Sequence, residues 1–345
     1  MSSSGITGYH NVAKIDGPGV VTGRYGTLGE VFYLSEPFWP LNTALYVQDF
    51  KGNNQRFAAY FLKNILSGIA SDKAAVPGVN RNDLHARKVT ITKDLGQQER
   101  IASVLSAYDD LIENNRRRIQ LLEQAARLLY REWFVRLRFP GHEHVKIKDG
   151  VPEGWELTNL PDVIAVNPQT PVEKEKEIWY VPMSALSETG MTANTADFER
   201  RTRHTNVKFR KNDVLLARIT PCLENGKTGF AYFLHDDEVA CGSTEFIVLR
   251  GKNVSPTFVY SLARSYPFRE NAIKSMTGSS GRQRVQVSSF DEYKVVLPPK
   301  HLIELFDEIV SKNFEQIRVL TEQNDKLNQA RDLLLPRLMN GVIPV

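Results

Sequence analysis

With 345 residues, the chain is long enough to bury two separate hydrophobic cores. Its hydrophobic fraction of 41% and charged fraction of 24% exclude an intrinsically disordered chain, and its two cysteines exclude a disulfide framework. A net charge of +4 permits nucleic acid as a partner without requiring it. Because no signal-peptide pattern or membrane-length apolar run is found, we expect a cytoplasmic protein.

The predicted elements occur in the same order twice along the chain. Strands rich in β-branched and aromatic residues come first, then a short helix, then a long amphipathic helix. In the first half these are strands at residues 20–23, 30–34 and 43–47, a helix at 55–66, and a long helix beginning at Gln97. In the second half they are strands at residues 213–219, 229–234 and 244–249, a helix at 255–266, and a long helix beginning after Lys300.

Both long helices carry an apolar stripe at helical spacing. The stripes comprise Ile101, Leu105, Ile112, Ile119, Leu122 and Leu129 in the first helix, and Phe306, Ile309, Ile317, Leu320, Leu327 and Leu334 in the second. The second stripe approaches a seven-residue repeat, interrupted by Asn313 and Asn324. Because two matching helices are separated by a whole domain, we predict that they pair with each other.

The two halves also resemble each other residue by residue. The segments IQLLEQAARLL (119–129) and NDKLNQARDLL (324–334) match at an offset of 205, and further matches keep a constant order. These further matches are Arg24 with Arg218, Gly29 with Gly229, Thr43 with Thr244, and Phe57 with Phe258. The pattern predicts an internal duplication. Residues 155–213 precede Val214, whereas only 19 residues precede Val20, so about 40 residues are expected to be missing from the front of the first repeat.

The patterns together predict an α+β fold with two β-rich domains, each followed by a long helix, and the two long helices pair with each other. We place the first domain at residues 1–96 and its spacer helix at 97–139. The second domain is placed at residues 140–297 and the C-terminal spacer helix at 298–345.

The sequence shows no catalytic, metal-binding or cofactor-binding constellation. The segment PCLENGKTG (221–229) resembles a phosphate-binding loop, but Pro221 stands where the first glycine is required, so we expect a turn between strands. The run PVEKEKE (171–177) is more typical of a solvated loop than of a metal-dependent nuclease site, and the histidines lack metal-ligand spacing. These absences point to a binding protein rather than an enzyme.

Basic patches with aromatic and amide neighbours indicate nucleic-acid binding. Arginine and lysine bind phosphates, arginine also reads guanine with two hydrogen bonds, and asparagine or glutamine reads adenine. A solvated, salt-bridged surface is the competing interpretation for each patch. The predicted DNA-binding residues are Arg24, Tyr25, Asn80, Arg81, Arg200, Arg201, Arg203, Lys208, Arg218, Lys227, Arg282, Arg284 and Gln286.

Four further segments carry a resemblance to a known family. They are QQERIASVLSAYDDLIENNRRRIQLLE (97–123), LLYREWF (128–134), VPEGWE (151–156) and LLLPRLMNG (333–341). In this order the chain resembles the DNA-specificity subunit of type I restriction–modification systems, a phage-defence machinery.

The resemblance implies two target recognition domains that each read one half of a split site in double-stranded DNA. It also implies that the two long helices form an antiparallel coiled coil that separates these domains. It implies two methyltransferase subunits docked on the helices, with restriction subunits joined through them. Adenine methylation and ATP-dependent cleavage, with S-adenosylmethionine, ATP and Mg²⁺, would belong to those partners, and no membrane would be involved.

We expect the chain to depart from the family at its start, with a first recognition domain that lacks its front part. A truncated or silent cassette that reads one half-site or none is therefore an alternative. A modification enzyme that acts alone and a coiled-coil adaptor without a DNA role are two others.

Overall fold

The computed structural model describes residues 1–24, 29–67, 81–204 and 207–345. The chain divides into two compact units, and each unit takes part of both long helices. Unit 1 comprises residues 1–114 and 323–345, and unit 2 comprises residues 115–322. No helix formed by the described residues is both long enough and apolar enough to cross a membrane.

Unit 1 contains a small antiparallel sheet and a short helix that packs beside the long ones. Its elements are β1 (Gly19–Gly23), β2 (Val31–Leu34), β3 (Ala44–Tyr46), α1 (Gln55–Leu66), α2 (Arg81–Ala86) and the first part of α3 (Leu95–Tyr130). The strand order is β2-β1-β3, so the apolar strand β1 is central. Helix α1 begins where the Asn54 side chain accepts a hydrogen bond of 2.9 Å from the backbone N–H of Phe57.

Unit 2 is larger and contains two four-stranded sheets. After a π-helical turn at Arg131–Val135, its elements are β4 (Ile147–Lys148), β5 (Val151–Pro152), β6 (Glu156–Asn159), α4 (Leu160–Val163), β7 (Ile164–Val166), β8 (Ile178–Val181), β9 (Glu199–Arg201), β10 (Val207–Arg210), β11 (Val214–Ala217), β12 (Thr228–Phe230), β13 (Val239–Gly242), β14 (Phe246–Gly251), α5 (Pro256–Arg264), α6 (Tyr266–Lys274), β15 (Lys294–Leu297) and most of α7 (Lys300–Met339). The sheet orders are β12-β11-β14-β7 and β10-β13-β8-β9. Strands β6 and β15 form a separate pair, as do β4 and β5.

Strand β11 lies between two apolar clusters, which explains its uninterrupted apolar sequence. Val214 and Leu216 belong to the cluster that contains Phe258 of α5, whereas Leu215 belongs to the cluster that contains Phe209 of β10. Successive side chains of a strand point to opposite faces, so a strand covered on both faces needs an apolar residue at every position. Strand β11 is therefore packed against apolar residues on both of its faces.

The predicted duplication is confirmed by strand order and register. The order β2-β1-β3 of unit 1 recurs as β12-β11-β14 in unit 2, and α1 and α5 follow with equivalent N-caps at Asn54 and Ser255. Arg24 and Arg218 are equivalent, since each follows the central strand and donates its backbone N–H over 2.9 Å, to the carbonyl oxygens of Thr43 and Glu245 respectively.

The register corrects two of the sequence matches. Val21 pairs with Phe32 and the equivalent Leu215 pairs with Gly229, so Gly229 corresponds to Phe32 rather than to Gly29. Thr43 corresponds to Glu245 rather than to Thr244, because their carbonyl groups accept equivalent hydrogen bonds. Residue identity misled the alignment here, since the loops between the strands differ in length.

In unit 2 the long helices α3 and α7 pack together in antiparallel directions. The ring centroids of Tyr130 and Phe306 are 6.0 Å apart, and further along the pair the Asn313 amide donates to the carbonyl oxygen of Leu122 over 3.4 Å. The α7 residues buried in this unit are Leu302, Ile303, Phe306, Val310, Phe314, Ile317 and Leu320. The α3 residues Ile119, Leu122 and Leu129 are half-buried against the apolar cluster that contains Phe306.

Ile309 departs from the predicted stripe of α7. Its side chain is 42% exposed, and the neighbouring Val310 is fully buried in its place. The buried positions from Phe306 to Phe314 are spaced by four residues, so a seven-residue template selects the wrong neighbour.

In unit 1 the other ends of the two long helices share a core with α1. Its buried residues include Phe57, Ile101, Leu105, Leu335 and Leu338, with Leu334 half-buried against them. Ile112 is buried and Leu327 is half-buried. The Arg331 guanidinium of α7 lies 2.6 Å from the Asp109 carboxylate of α3, so an ion pair joins the helices beside this core.

We expect Phe306→Ala to lower the free energy of unfolding of unit 2 by about 3–5 kcal/mol, because it leaves a cavity in the helix seam. Ile309→Ala is the matched control and should change it by less than about 0.5 kcal/mol, since the side chain is largely exposed. Urea unfolding followed by tryptophan fluorescence, to which Trp133 contributes with its ring 6.2 Å from that of Phe306, measures both. Equal losses would contradict the burial pattern.

Candidate nucleic-acid interface

Residues 277–286 form a hairpin beside the end of β11, which we call the arginine hairpin. Thr277 and Arg284 exchange backbone hydrogen bonds of 3.0 and 2.9 Å, and the Thr220 N–H donates to the Gln283 carbonyl oxygen over 3.0 Å. The tip turns at Gly281, whose φ of +78° favours glycine. Main-chain contacts thus fix the hairpin against the strand end while its arginines stay on the surface.

Arg218 holds this hairpin rather than projecting freely. Its guanidinium Nη2 donates to the Val285 carbonyl oxygen over 3.1 Å, and its own carbonyl oxygen accepts the Val285 N–H over 2.8 Å. The Nε atom of Arg218 is buried without a hydrogen-bond partner among the described residues. The predicted role of Arg218 in reading DNA stays a prediction, and these contacts place its guanidinium at the base of the hairpin.

Arg284 is held by a carboxylate that sequence analysis did not single out. Glu245, immediately before β14, lies 3.0 Å from Nε and 2.6 Å from Nη2 of Arg284. Hydrogen bonds from Arg284 to this carboxylate raise the pKa of the guanidinium. The two residues are 39 positions apart, so no local pattern signals the pair.

Two further residues of the hairpin, Arg282 and Gln286, are also exposed. Arg282 is exposed next to the Gly281 turn. The Gln286 amide donates to the Thr277 hydroxyl over 2.5 Å and to the Arg284 carbonyl oxygen over 3.4 Å. Gln286 is exposed nonetheless.

Further basic residues lie on the sheet β10-β13-β8-β9, where the consecutive residues Arg200 and Arg201 of β9 point to opposite faces. The Arg200 guanidinium lies 3.7 Å from the ring centroid of Trp179, and that of Arg201 lies 3.4 Å from the ring centroid of Tyr180. Such stacked arginines keep their charge at the surface while the aromatic rings fix their direction. Arg201 also binds Glu199, and Arg203 is exposed after β9.

Lys208 is half-buried on the same sheet, where it pairs across to Cys241. Burial raises the pKa of the Cys241 thiol despite the neighbouring cations Arg201 and Lys208, so this thiol stays protonated and unreactive. Cys222 is the more exposed of the two free cysteines.

Lys227 and the loop that precedes it are fixed by long-range contacts. The Lys227 ammonium donates to the Met183 carbonyl oxygen over 3.1 Å. Arg269 donates to the carbonyl oxygens of Leu223 and Glu224, both over 3.1 Å. The segment that resembled a phosphate-binding loop is therefore a β11–β12 turn whose carbonyl groups bind cationic side chains.

A buried carboxylate connects α3 to this turn. Glu123 accepts hydrogen bonds from the Tyr260 hydroxyl over 2.6 Å and from the Met191 N–H over 2.8 Å. Burial and the adjacent Glu123 charge raise the pKa of Tyr260, so the phenol remains a donor. Arg264 lies 3.9 Å from Glu123 and also donates to the Gly226 carbonyl oxygen. The helix and the β11–β12 turn are thus bound to one polar network.

The predicted residues of unit 1 are only partly described. Arg24 and Arg81 are exposed, the first after β1 and the second at the start of α2. Tyr25 and Asn80 lie outside the described residues. Within the residues that are described, no group of three or more His, Cys, Asp or Glu side chains could hold a metal ion.

The structure so far defines a class of protein: a duplicated β-rich globule, each copy followed by a long helix, with arginines at the end of each central strand. The model of the family described as type I restriction modification DNA specificity domain matches residues 1–124 and residues 152–329. The chain therefore belongs to this family.

Named relatives agree with this assignment. The specificity subunit of the type I restriction enzyme MjaIX from Methanocaldococcus jannaschii is 25% identical over 262 residues, which cover 72% of this chain and 59% of that protein. The EcoEI specificity subunit from Escherichia coli is 32% identical over 154 residues, covering 43% and 26% respectively. The chain thus spans less than two thirds of the length of these relatives.

A solved structure shares the fold. The S subunit of a type I restriction–modification system from M. genitalium has a TM-score of 0.54 at 16% identity, covering 96% of this chain and 86% of that one. The predicted α+β architecture with two long helices is confirmed by this similarity and by the element order.

Replacing Lys227 with alanine should affect stability, whereas replacing Arg282 with alanine should affect DNA binding. We expect Lys227→Ala to lower the free energy of unfolding by about 1.5–3 kcal/mol, since a charged hydrogen bond is lost, and to leave the salt dependence of DNA binding unchanged. Arg282→Ala should preserve stability and reduce the slope of log affinity against log salt by about 1. Urea unfolding and titrations at several salt concentrations check both, and a reduced slope for Lys227→Ala would contradict this division.

Proposed function

We propose that the chain is the DNA sequence-specificity subunit of a type I restriction–modification complex and that unit 2 reads one half of a split DNA site. The observation that carries the proposal is the arginine hairpin: Arg282, Arg284 and Gln286 stand exposed on a backbone fixed to the end of β11. Arginine and glutamine are the side chains that read guanine and adenine in the major groove.

The basic residues of the β10-β13-β8-β9 sheet supply a complementary role. Arg200, stacked on Trp179, and Arg201, stacked on Tyr180 and bound to Glu199, add positive charge to opposite faces of this sheet. We assign phosphate contacts to these basic residues and base contacts to the arginine hairpin. Unit 1 would read the other half-site through the region around Arg24, whose position at the end of β1 repeats that of Arg218.

Catalysis is assigned to partner subunits. Two methyltransferase subunits would bind S-adenosylmethionine and methylate adenine, and restriction subunits joined through them would use ATP and Mg²⁺. The named relatives are specificity subunits of type I restriction enzymes, which supports a non-catalytic role for this chain.

Purified alone, the chain should bind DNA weakly, because a net charge of +4 allows few phosphate contacts. With its methyltransferase subunits it should bind and methylate one split sequence. Mapping of methylated adenines in host DNA with and without this gene tests the proposal and shows both halves of the site. Methylation that is unchanged by loss of the gene would contradict the proposal. A single uninterrupted methylated site would favour the alternative, in which a truncated chain reads only one half-site.

The length of the helices should set the gap between the halves. Helix α3 has 36 residues, which corresponds to about 54 Å, or at most ~16 base pairs. We expect a seven-residue insertion in both α3, after Asn114, and α7, after Glu322, to preserve the apolar register. The unread gap should then lengthen by about 3 base pairs, while both half-sequences stay the same. An insertion of four residues in both helices is the control that shifts the stripe, and an unchanged gap after the seven-residue insertion would contradict the assignment.

A further inference from the structure

The Arg284 guanidinium has two edges that can each form a pair of hydrogen bonds, and one of them is already occupied. Glu245 binds Nε at 3.0 Å and Nη2 at 2.6 Å, which is the side edge of the group. Among the described residues, Nη1 of Arg284 has no hydrogen-bond partner. The end edge, formed by Nη1 and the second hydrogen of Nη2, is therefore left for a ligand, and the Arg284 side chain is 44% exposed.

We propose that Glu245 is a positioning residue that presents this free edge of Arg284 to a guanine, and that the pair determines specificity for one G·C base pair of the half-site. This inference rests on the proposed function of unit 2. A guanine offers O6 and N7 in the major groove, and the end edge of a guanidinium matches these two acceptors. The carboxylate itself would not touch the base.

Both members of the pair are attached to fixed backbone. The Glu245 carbonyl oxygen accepts the Arg218 N–H over 2.9 Å, and its own N–H donates to the Ser243 hydroxyl over 3.2 Å. Arg284 is held through its backbone pairing with Thr277. Only 22% of the Glu245 side chain is exposed, so its carboxylate has little freedom to turn. An arginine oriented in advance loses less conformational freedom on binding than a free one.

Two other roles of Glu245 predict different behaviour. If the pair only stabilised the fold, its loss would weaken binding to all DNA sequences alike, although exposed ion pairs contribute little stability. If Glu245 only repelled DNA phosphates, its loss would strengthen binding to all sequences alike. A positioning role predicts weaker binding to the specific site together with equal or tighter binding to unrelated DNA.

The test uses the full chain assembled with its methyltransferase subunits and duplexes whose target site has been mapped by methylation. Affinities are measured for the specific duplex, for duplexes with each G·C pair of the unit 2 half-site replaced, and for an unrelated duplex. Glu245→Gln should lower specific affinity about tenfold and abolish the preference for guanine at one position. Glu292→Gln, which removes the same charge from an exposed position of unit 2, should leave the preference intact.

A second variant and a double variant test whether Glu245 acts through Arg284. Arg284→Lys keeps the charge and removes the bidentate edge, so it should lose the same guanine preference while binding unrelated DNA as before. In an Arg284→Ala background, Glu245→Gln should cause no further loss of discrimination, because the carboxylate would act only through the arginine.

The results separate this inference from the function on which it rests. A wild-type complex without any sequence preference would overturn the proposed function and the inference with it. A specific wild-type complex whose guanine preference survives Glu245→Gln and Arg284→Lys would overturn the inference alone. An additional loss of discrimination in the Arg284→Ala background would also overturn it, since Glu245 would then act independently.

Discussion

In unit 2, the arrangement of the fold depends on one carboxylate that α3 buries together with its apolar residues. A charged group removed from water is tolerated only when hydrogen bonds and an opposite charge replace its hydration. Glu123 obtains these from Tyr260, the Met191 backbone and the nearby Arg264. A helix held only by apolar contacts could slide or rotate by a residue at modest cost, whereas such a movement here would leave a buried charge without partners. The carboxylate therefore fixes the register of α3 within unit 2.

That fixed register extends to the surface through a short series of contacts. Arg264 joins the Glu123 network to the Gly226 carbonyl group, which closes the β11–β12 turn. The same β11 strand ends at Arg218, and Arg218 in turn binds both backbone groups of Val285 in the arginine hairpin. A helix that is proposed to receive partner subunits and a hairpin that is proposed to read bases are thus connected by hydrogen bonds within unit 2.

Local patterns in the sequence predicted what local forces determine. Helical periodicity located α3 and α7, and Phe306, Ile317 and Leu320 of the predicted α7 stripe are buried. The sequence was less informative where distant residues decide the outcome. Ile309 and Val310 are both apolar neighbours, and only the packing against α3 selects Val310. Arg218 and Lys227 donate to Val285 and Met183, which lie 67 and 44 residues away, so no local pattern shows these hydrogen bonds, and the DNA contacts predicted for both residues stay predictions. The Glu245 pairing was missed for the same reason.

In the arginine hairpin, backbone atoms maintain the shape, whereas the side chains at positions 282, 284 and 286 are exposed to solvent. Its backbone is held by main-chain hydrogen bonds, such as those between Thr277 and Arg284, which nearly any residue can make. The side chains at positions 282, 284 and 286 contribute nothing to the apolar core. Natural variation at these positions can therefore alter the displayed chemistry while leaving the scaffold unchanged. Such a surface is open to rapid evolutionary diversification, and a new preference could arise by a few codon changes in a segment of ten residues.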